Sequence, residues 1–401
     1  MKYLIIGNGV AGATAAQNIR KFDKVGEITV ITEENFPFYS RMRLPEYLSR
    51  EIDEKKLMLH DDSWYERNSI TLITNKKVES IDHVTKYVSL DGNARIAYDK
   101  LLVATGSRAS VPQLIGVEKQ GVFTLRTIAD AQRIREYAER AVNIIILGGG
   151  VLGLEIGNAL RNPGKTVTFV EYFPRLLPRQ LDIEGSRIFR EKLESYGLRF
   201  ILDARAREVV GKDAVEGLML QDGSMVRGQM LIISAGIIPN TYLFSNTGIS
   251  LGKGVPVNDL MEVELPDIYA AGDAAEHHGM VYGIWPAAEK QGEVAGINMA
   301  GGNSTYRGST PSHSITVAGT EVISAGEIDV DGKLPSLLFK DREKGIYKKI
   351  VVMDDRVAGC ILCGDTTGKK EIVSSVKEHR HVKEMHESLS RYNLAWTQSR
   401  G

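Results

Sequence analysis

Two glycine-rich hexapeptides carry the strongest chemical signal in the chain: Gly7-Asn8-Gly9-Val10-Ala11-Gly12 and Gly148-Gly149-Gly150-Val151-Leu152-Gly153. Each follows an apolar β-like run, KYLII or NIIIL, and opens a helical pattern. In a G-x-G-x-x-G turn the first glycine permits the tight bend, the second lets backbone approach a pyrophosphate, and the third lets the helix pack close to the strand. Unpaired N–H groups and the helix dipole favour phosphate at such an N-terminus. An acid ends the next strand about twenty residues on in each case, Glu33 and Glu171, positioned to accept hydrogen bonds from a ribose. A plain glycine turn would not need the flanking strand, helix and acid, and it would not recur with them. A carboxylate at Glu171 suits a ribose with free hydroxyls, whereas a 2′-phosphate would require arginine. Tyr172 follows Glu171, and the first basic residue is Arg175. Two such sites point to a bound flavin dinucleotide and a diffusible NADH, preferred over NADPH.

The elements that hold these turns follow from periodicity. KYLIIG, AGATAAQNIRKF and EITVIT read as a βαβ unit, and NIIILG, LEIGNALR and TVTFVE repeat it. KKVESIDHVTKYVSL alternates like a meander, and DIEGSRIFREKLESYG reads as a helix stopped by Gly197. From about Tyr306 the pattern is strand-like, and the last ~30 residues read as helical and polar. A length of 401 residues suits two or three domains. Hydrophobic residues at 43% and charged residues at 25% are proportions of a chain that buries a core. A net charge of -1 gives no field favouring nucleic acid or an anionic membrane. No apolar run reaches ~18 residues, so no membrane span is expected. The N-terminus is apolar enough to imitate a secretion signal, but glycines interrupt it and it reads better as strand, turn and helix. Only two cysteines occur, Cys360 and Cys363, which argues against a disulfide scaffold and suits a cytoplasmic location.

Further stretches stand in a telling order: LLVATGSRASVP, TLRTIADAQRI, ISAGIIPN, IYAAGDAAE and WPAAEKQGEVAG, across residues 1 to 305. With the two turns, they make the chain resemble the FAD-dependent pyridine nucleotide-disulfide oxidoreductase family. The resemblance implies an α/β fold with two Rossmann-like three-layer dinucleotide-binding domains and a small α+β C-terminal domain. It implies an FAD domain over 1–110 and 230–305, an NAD domain over 111–229, and a C-terminal domain with helical tail over 306–401. FAD would be held by Gly7, Gly9, Val10, Ala11, Gly12, Glu33, Arg41, Val78, Ala104, Thr105, Gly106, Gly272, Asp273, Trp285 and Ala287, with Asp273 on the ribityl chain. NAD would be held by Gly148, Gly150, Val151, Leu152, Gly153, Glu155, Glu171, Ala235 and Gly236.

The stretch FYSRMRLPEYLS, Phe38 to Ser49, lacks what the family's name promises. Disulfide-reducing members carry a redox cysteine there, and this chain has none before Cys360. A thiolate relay needs a thiol, so thiol-dependent reductase, oxidase and peroxidase chemistry is not expected. The stretch is similar to an arginine-led branch that includes NADH:rubredoxin reductases, the flavin portion of NADH nitrite reductases, and ferredoxin reductases of oxygenase systems. In that branch the residue matching Arg41 holds the adenine-side phosphates. The bland alternative, that Arg41 and Arg43 are solvated helix charges, stays open. Ferredoxin reductases commonly have lysine at the position of Glu46, so the rubredoxin and nitrite reductase side is favoured.

The resemblance implies hydride transfer from NADH to flavin N5, then electrons to a small redox protein such as rubredoxin. Alternatives are an NADH oxidase reducing oxygen, the flavin subunit of a nitrite-reductase-like complex, and a signalling flavoprotein with a long-lived NAD complex. Glu155 would approach the nicotinamide carboxamide, unless it is a buried, paired helix carboxylate. Backbone N–H groups around Ala287 and Ala288 would face the flavin pyrimidine edge, and Trp285 would pack beside the flavin. No metal is expected. Cys360 and Cys363, at i and i+3 on a strand, face opposite sides and read as core residues rather than a redox pair. His277 and His278 read as loop residues, solvated or near the flavin. His379, His381 and His386 read as a solvated tail. Lys340, Lys344, Lys348 and Lys349 read as a solvated strand edge, or as a docking patch for an acidic carrier. A homodimer stays open.

Overall fold

The computed structural model describes residues 1–385 and 394–396. The chain divides into two compact units, Met1–Arg43 with Ile52–Arg108 and Gly236–Ser309, and Leu44–Glu51 with Ala109–Ala235 and Thr310–Gly401.

The first unit is built on a five-stranded sheet ordered Ile268–Ala270, Lys100–Val103, Lys2–Ile6, Glu27–Ile31 and Ile70–Ile73. Every pairing in it is parallel. Strands covered on both faces read as continuous apolar runs, and Leu4, Ile5, Leu101, Leu102 and Val103 are accordingly buried. The helices Val10–Phe22 and Trp285–Met299 approach closely. A side chain at Gly292 or Gly296 would meet the carbonyl oxygens of Ala11 and Ala15 at 2.3 and 2.5 Å. Small residues at both helix surfaces therefore set this packing. A three-stranded antiparallel sheet, Val78–Asp82, Tyr87–Leu90 and Arg95–Ala97, matches the expected meander.

The second unit repeats the plan. Its parallel sheet runs Arg199–Ile201, Thr166–Val170, Asn143–Leu147, Met230–Ile233, Val122–Phe123. The helix Ile183–Ser195 is capped by Asp182, which accepts from the Gly185 N–H at 2.8 Å. The segment Leu44–Glu51 belongs here rather than with the residues flanking it. The guanidinium of Arg135 lies 4.4 Å from the Tyr47 ring centroid, and Arg50 pairs with Glu139 at 2.6 Å.

From residue 310 the second unit continues as an antiparallel sheet ordered Ser312–Val317, Thr320–Gly326, Arg356–Cys363, Ile346–Met353, Ser336–Asp341 and Ala395–Trp396. The helix Lys369–Lys377 covers one part of it through buried Ile372 and Val376. This sheet corrects the reading of the lysine run. Ile346–Met353 is an interior strand, and six consecutive residues, Tyr347 to Val352, are buried on it, so both of its faces are covered there. Lys348 and Lys349 are 2% and 4% exposed. Lys348 pairs with Asp365 at 2.6 Å. On the other face, Lys349 lies 3.1 Å from both Asp182 and Asp329, and the Tyr347 hydroxyl donates to Asp182 at 2.6 Å. Both lysines are thus themselves buried and paired, Lys349 with two buried carboxylates and Lys348 with the half-buried Asp365, and neither offers a charge to a partner. The tail is helical only over Lys369–Lys377 and a short 3₁₀ turn, Val382–Met385, among the described residues. His386 lies outside them.

Candidate functional site

The two glycine turns have the same internal geometry. Gly7 has φ +108°, and a Cβ on it would lie 2.1 Å from the Ala104 carbonyl oxygen. Gly148 has φ +123°, with the Ser234 carbonyl oxygen at 2.2 Å from the same position. The third glycines are equally crowded: a Cβ on Gly12 or Gly153 would stand 2.0 or 2.3 Å from the oxygen of the first glycine. These four positions are glycine because the fold demands it. Gly9 and Gly150 differ, since a Cβ on either meets nothing within 4 Å. Each sits just before a helix, Val10–Phe22 or Val151–Leu160, whose first N–H groups lack intrahelical partners. The space there suits a phosphate rather than a side chain. The first turn also aims a spare donor: the Asn8 side-chain amide nitrogen is buried without a partner, while its oxygen accepts from the Tyr65 hydroxyl at 3.0 Å. The residues present fit a dinucleotide.

The strand-end acids are held differently in the two units. Glu171 is 6% exposed, and its carboxylate accepts from the N–H groups of Gly149 and, at 2.8 Å, Phe173. The carboxylate is thus fixed across the glycine turn. Glu33 lies 3.4 Å from the Tyr242 hydroxyl, which donates to the Val78 carbonyl at 3.0 Å.

Around the first turn, the segments expected at a flavin converge. Asp273 accepts from the Ser107 hydroxyl at 2.7 Å. The Gly272 N–H donates to Gln291 at 2.8 Å, and Gln291 is 1% exposed. Thr105 and Asn240 exchange two bonds, hydroxyl to carbonyl at 2.8 Å and side-chain amide to carbonyl at 3.0 Å. Trp285 stands 5.9 Å from the Phe38 ring. Ala287 falls among the first helical residues after Pro286, where N–H groups have no intrahelical acceptor. Ala288 does not, because its N–H bonds the Ile284 carbonyl at 3.1 Å. Arg41 forms an ion pair with Glu34 and donates to the Tyr39 hydroxyl at 3.0 Å. Arg43 donates to the Lys56 carbonyl at 2.8 Å. Both arginines lie in a 3₁₀ turn, Arg41–Arg43, and neither is simply a solvated helix charge.

In the second unit, Glu155 lies one turn into Val151–Leu160, against which the helix Leu44–Leu48 packs. Burial, and then the charge of Glu46, push the Glu155 carboxyl up to about 7.

A family model described as pyridine nucleotide-disulphide oxidoreductase matches residues 1–292, and one described as rubredoxin NAD+ reductase C-terminal domain matches residues 311–380. The chain belongs to the pyridine nucleotide-disulphide oxidoreductase family. It is 30% identical to NADH-rubredoxin oxidoreductase of Clostridium acetobutylicum, over 95% of this chain and 96% of that protein. The solved structure of that enzyme superposes with a TM-score of 0.80 at 29% identity, covering 95% of this chain and 96% of the other. A nitrite reductase of Bacillus subtilis is 35% identical over 95% of this chain, but only 48% of its own length is covered. The chain spans about half the length of that protein and of the assimilatory nitrate reductase electron transfer subunit from the same organism. A NAD-dependent persulfide reductase from A. fulgidus superposes with a TM-score of 0.88 at 25% identity, over 96% of this chain and 78% of that one.

Within this family the cysteines take a structural place here. Cys360 and Cys363 lie on the strand Arg356–Cys363, both fully buried, and burial pushes both thiols up to about 12. A thiol held protonated in an apolar core neither attacks nor relays electrons. His277 is buried, not solvated, and both it and His278 reach one oxygen of Asp259, at 2.9 and 2.8 Å. No helix among the described residues is long and apolar enough to cross a membrane. Sequence reasoning missed Tyr242, Gln291 and Asn240. Asn240 and Gln291 lie within the stretches ISAGIIPN and WPAAEKQGEVAG, where no local pattern gives either a role, and nothing local marks Tyr242.

Proposed function

We propose that the chain is a cytoplasmic NADH-dependent FAD oxidoreductase that delivers electrons to a small one-electron carrier of the rubredoxin kind. The observation that carries this reading is a pair of equivalent glycine turns, each with an open second glycine and its own strand-end acid, in a chain whose two thiols are buried. The likeness to NADH-rubredoxin oxidoreductase over nearly the full length of both chains supports it. Bound FAD would supply the hydride acceptor and the outlet for single electrons. The residues Gly7, Gly9, Val10, Ala11, Gly12, Glu33, Arg41, Val78, Ala104, Thr105, Gly106, Gly272, Asp273, Trp285 and Ala287 would hold it. Gly148, Gly150, Val151, Leu152, Gly153, Glu171, Ala235 and Gly236 would bind NADH. Glu171, already fixed by two backbone N–H groups, would take the ribose hydroxyls and repel a 2′-phosphate. The domains would be an FAD domain over 1–110 and 230–305, an NAD domain over 111–229 and a C-terminal domain over 306–401. Anaerobic titration tests the reading: about one two-electron equivalent of NADH should reduce the flavin fully, since no disulfide competes for electrons. A requirement for two equivalents would contradict it.

Glu155 would position the nicotinamide, donating from its carboxyl while protonated. The pH dependence of kcat/KM for NADH should then show an inflection near 7. Glu155→Gln should remove that inflection, and Glu46→Gln should move it to lower pH by deleting the neighbouring negative charge. Stability carries the same sign. A carboxyl raised in the folded state favours folding below its unfolded value of 4.5, and this contribution is lost as pH rises through about 7. Relative to the parent, Glu155→Gln should therefore be more stable at pH 8 than it is at pH 5, read from urea unfolding. A pH profile unchanged in both variants would remove Glu155 from this role.

A further inference from the structure

Tyr242 sits where the two adenosine-side elements of the first site meet. It opens the 3₁₀ turn Tyr242–Phe244, two residues beyond Asn240. Asn240 is fixed: its side-chain amide donates to the Thr105 carbonyl at 3.0 Å, and its N–H donates to the Gly106 carbonyl at 3.0 Å. Leu243 and Phe244, 3% and 0% exposed, anchor the turn from the other side. Tyr242 is thereby delivered to a defined place, and its side chain divides in two. The residue is 38% exposed, unusual for a large aromatic side chain. The hydroxyl points inward, donating to the Val78 carbonyl at 3.0 Å and standing 3.4 Å from Glu33. The Lys77 ammonium lies 5.5 Å from the ring centroid, so Lys77, Val78, Glu33 and Tyr242 form one cluster drawn from three distant segments. Burial, and then the Glu33 charge, push the phenol above its ordinary pKa, so the hydroxyl remains a neutral donor at any working pH.

We propose that Tyr242 is an adenosine-positioning residue of the first site. This rests on reading that site as the FAD site. Its single hydroxyl proton, shared between the Val78 carbonyl and the more distant Glu33 carboxylate, links the bend after the strand Glu27–Ile31 to the start of the strand Val78–Asp82. A ribose then meets a carboxylate already oriented, which lowers the ordering cost of binding. The exposed ring adds a flat apolar surface beside that carboxylate, suited to a purine.

The test compares FAD with FMN, which lacks the adenosine half, on apoprotein of the full chain. Dissociation constants are read by quenching of flavin fluorescence. Tyr242→Phe should weaken FAD about fivefold, the equivalent of one hydrogen bond. Tyr242→Ala should weaken it tenfold or more, and neither variant should alter FMN binding. Thermal melting of the apoproteins checks that the fold survives, and the phenylalanine variant preserves the packing in any case. Unchanged FAD affinity in both variants would overturn the proposal. So would an equal loss for FAD and FMN, which would mark a general structural role. Parent apoprotein that took up neither flavin would remove the FAD reading itself, and the role of Tyr242 with it.

Discussion

Gly9→Val is expected to leave a folded apoprotein whose affinity for FAD is lower by about a hundredfold. The backbone at Gly9 has φ -88° and ψ -166°, extended values that any residue adopts. A Cβ there meets nothing within 4 Å. The substitution therefore costs the fold little more than the poorer N-cap, no more than about 1 kcal/mol. The same methyl groups fill the volume that opens onto the N-terminus of Val10–Phe22. A pyrophosphate displaced from those N–H groups loses one or two charge-assisted bonds of about 1.5–3 kcal/mol each. Near 3 kcal/mol this is about a hundredfold in dissociation constant. Gly12→Val is the contrasting case, because its Cβ would stand 2.0 Å from the Gly7 oxygen and the turn itself would have to move. Fluorescence titration and a thermal melt on the same Gly9→Val sample separate binding from folding. Undiminished FAD affinity would show that the open volume is not the phosphate position.

The second large effect concerns stability. Lys349→Met should destabilise the protein by about 3–5 kcal/mol, because it strands two buried carboxylates. Asp182 and Asp329 both lie 3.1 Å from the Lys349 ammonium, and all three side chains are almost wholly inaccessible. Asp182 also caps a helix and accepts from Tyr347, so it cannot turn away without breaking other bonds. Lys340→Met is the internal comparison, since Lys340 is 54% exposed and its 3.6 Å contact with Glu184 should be worth under ~1 kcal/mol. Combining Lys349→Met with Asp182→Asn and Asp329→Asn should recover part of the loss by removing the uncompensated charges. Urea denaturation midpoints measure all of these. Equal small effects at 340 and 349 would mean that the ion cluster is not buried as described.

The contrast between these two sites explains which features sequence could reveal. The glycine turns were legible because strand, turn, helix and acid lie within about 30 residues of one another. Their chemistry is encoded by spacing along the chain. The fate of Lys348 and Lys349 was not, because it depends on the position of Ile346–Met353 inside the sheet, between Ser336–Asp341 and Arg356–Cys363. That position is a matter of topology, and two adjacent lysines read as solvent-facing in any local window. Tyr242 was hidden for a similar reason: it meets Glu33 across 209 positions of sequence. Glu155 was singled out by its place after the second turn. Its raised carboxyl, however, reflects burial first and then the charge of Glu46 on the helix Leu44–Leu48, which lies outside every motif that pointed to NAD. The cysteine pair was legible from strand periodicity alone, since residues three apart on a strand cannot converge.

The central claim is that electrons enter from NADH and leave to a one-electron carrier with no thiol in the path. The most direct measurement is stopped-flow oxidation of the anaerobically NADH-reduced flavoprotein, mixed in separate runs with oxidised rubredoxin and with oxygen, for the parent and for a Cys360→Ser, Cys363→Ser double variant. The account predicts rubredoxin reduction that outpaces reaction with oxygen, at the same rate in both proteins. Loss of rubredoxin reduction in the folded double variant, or its absence in the parent, would contradict it.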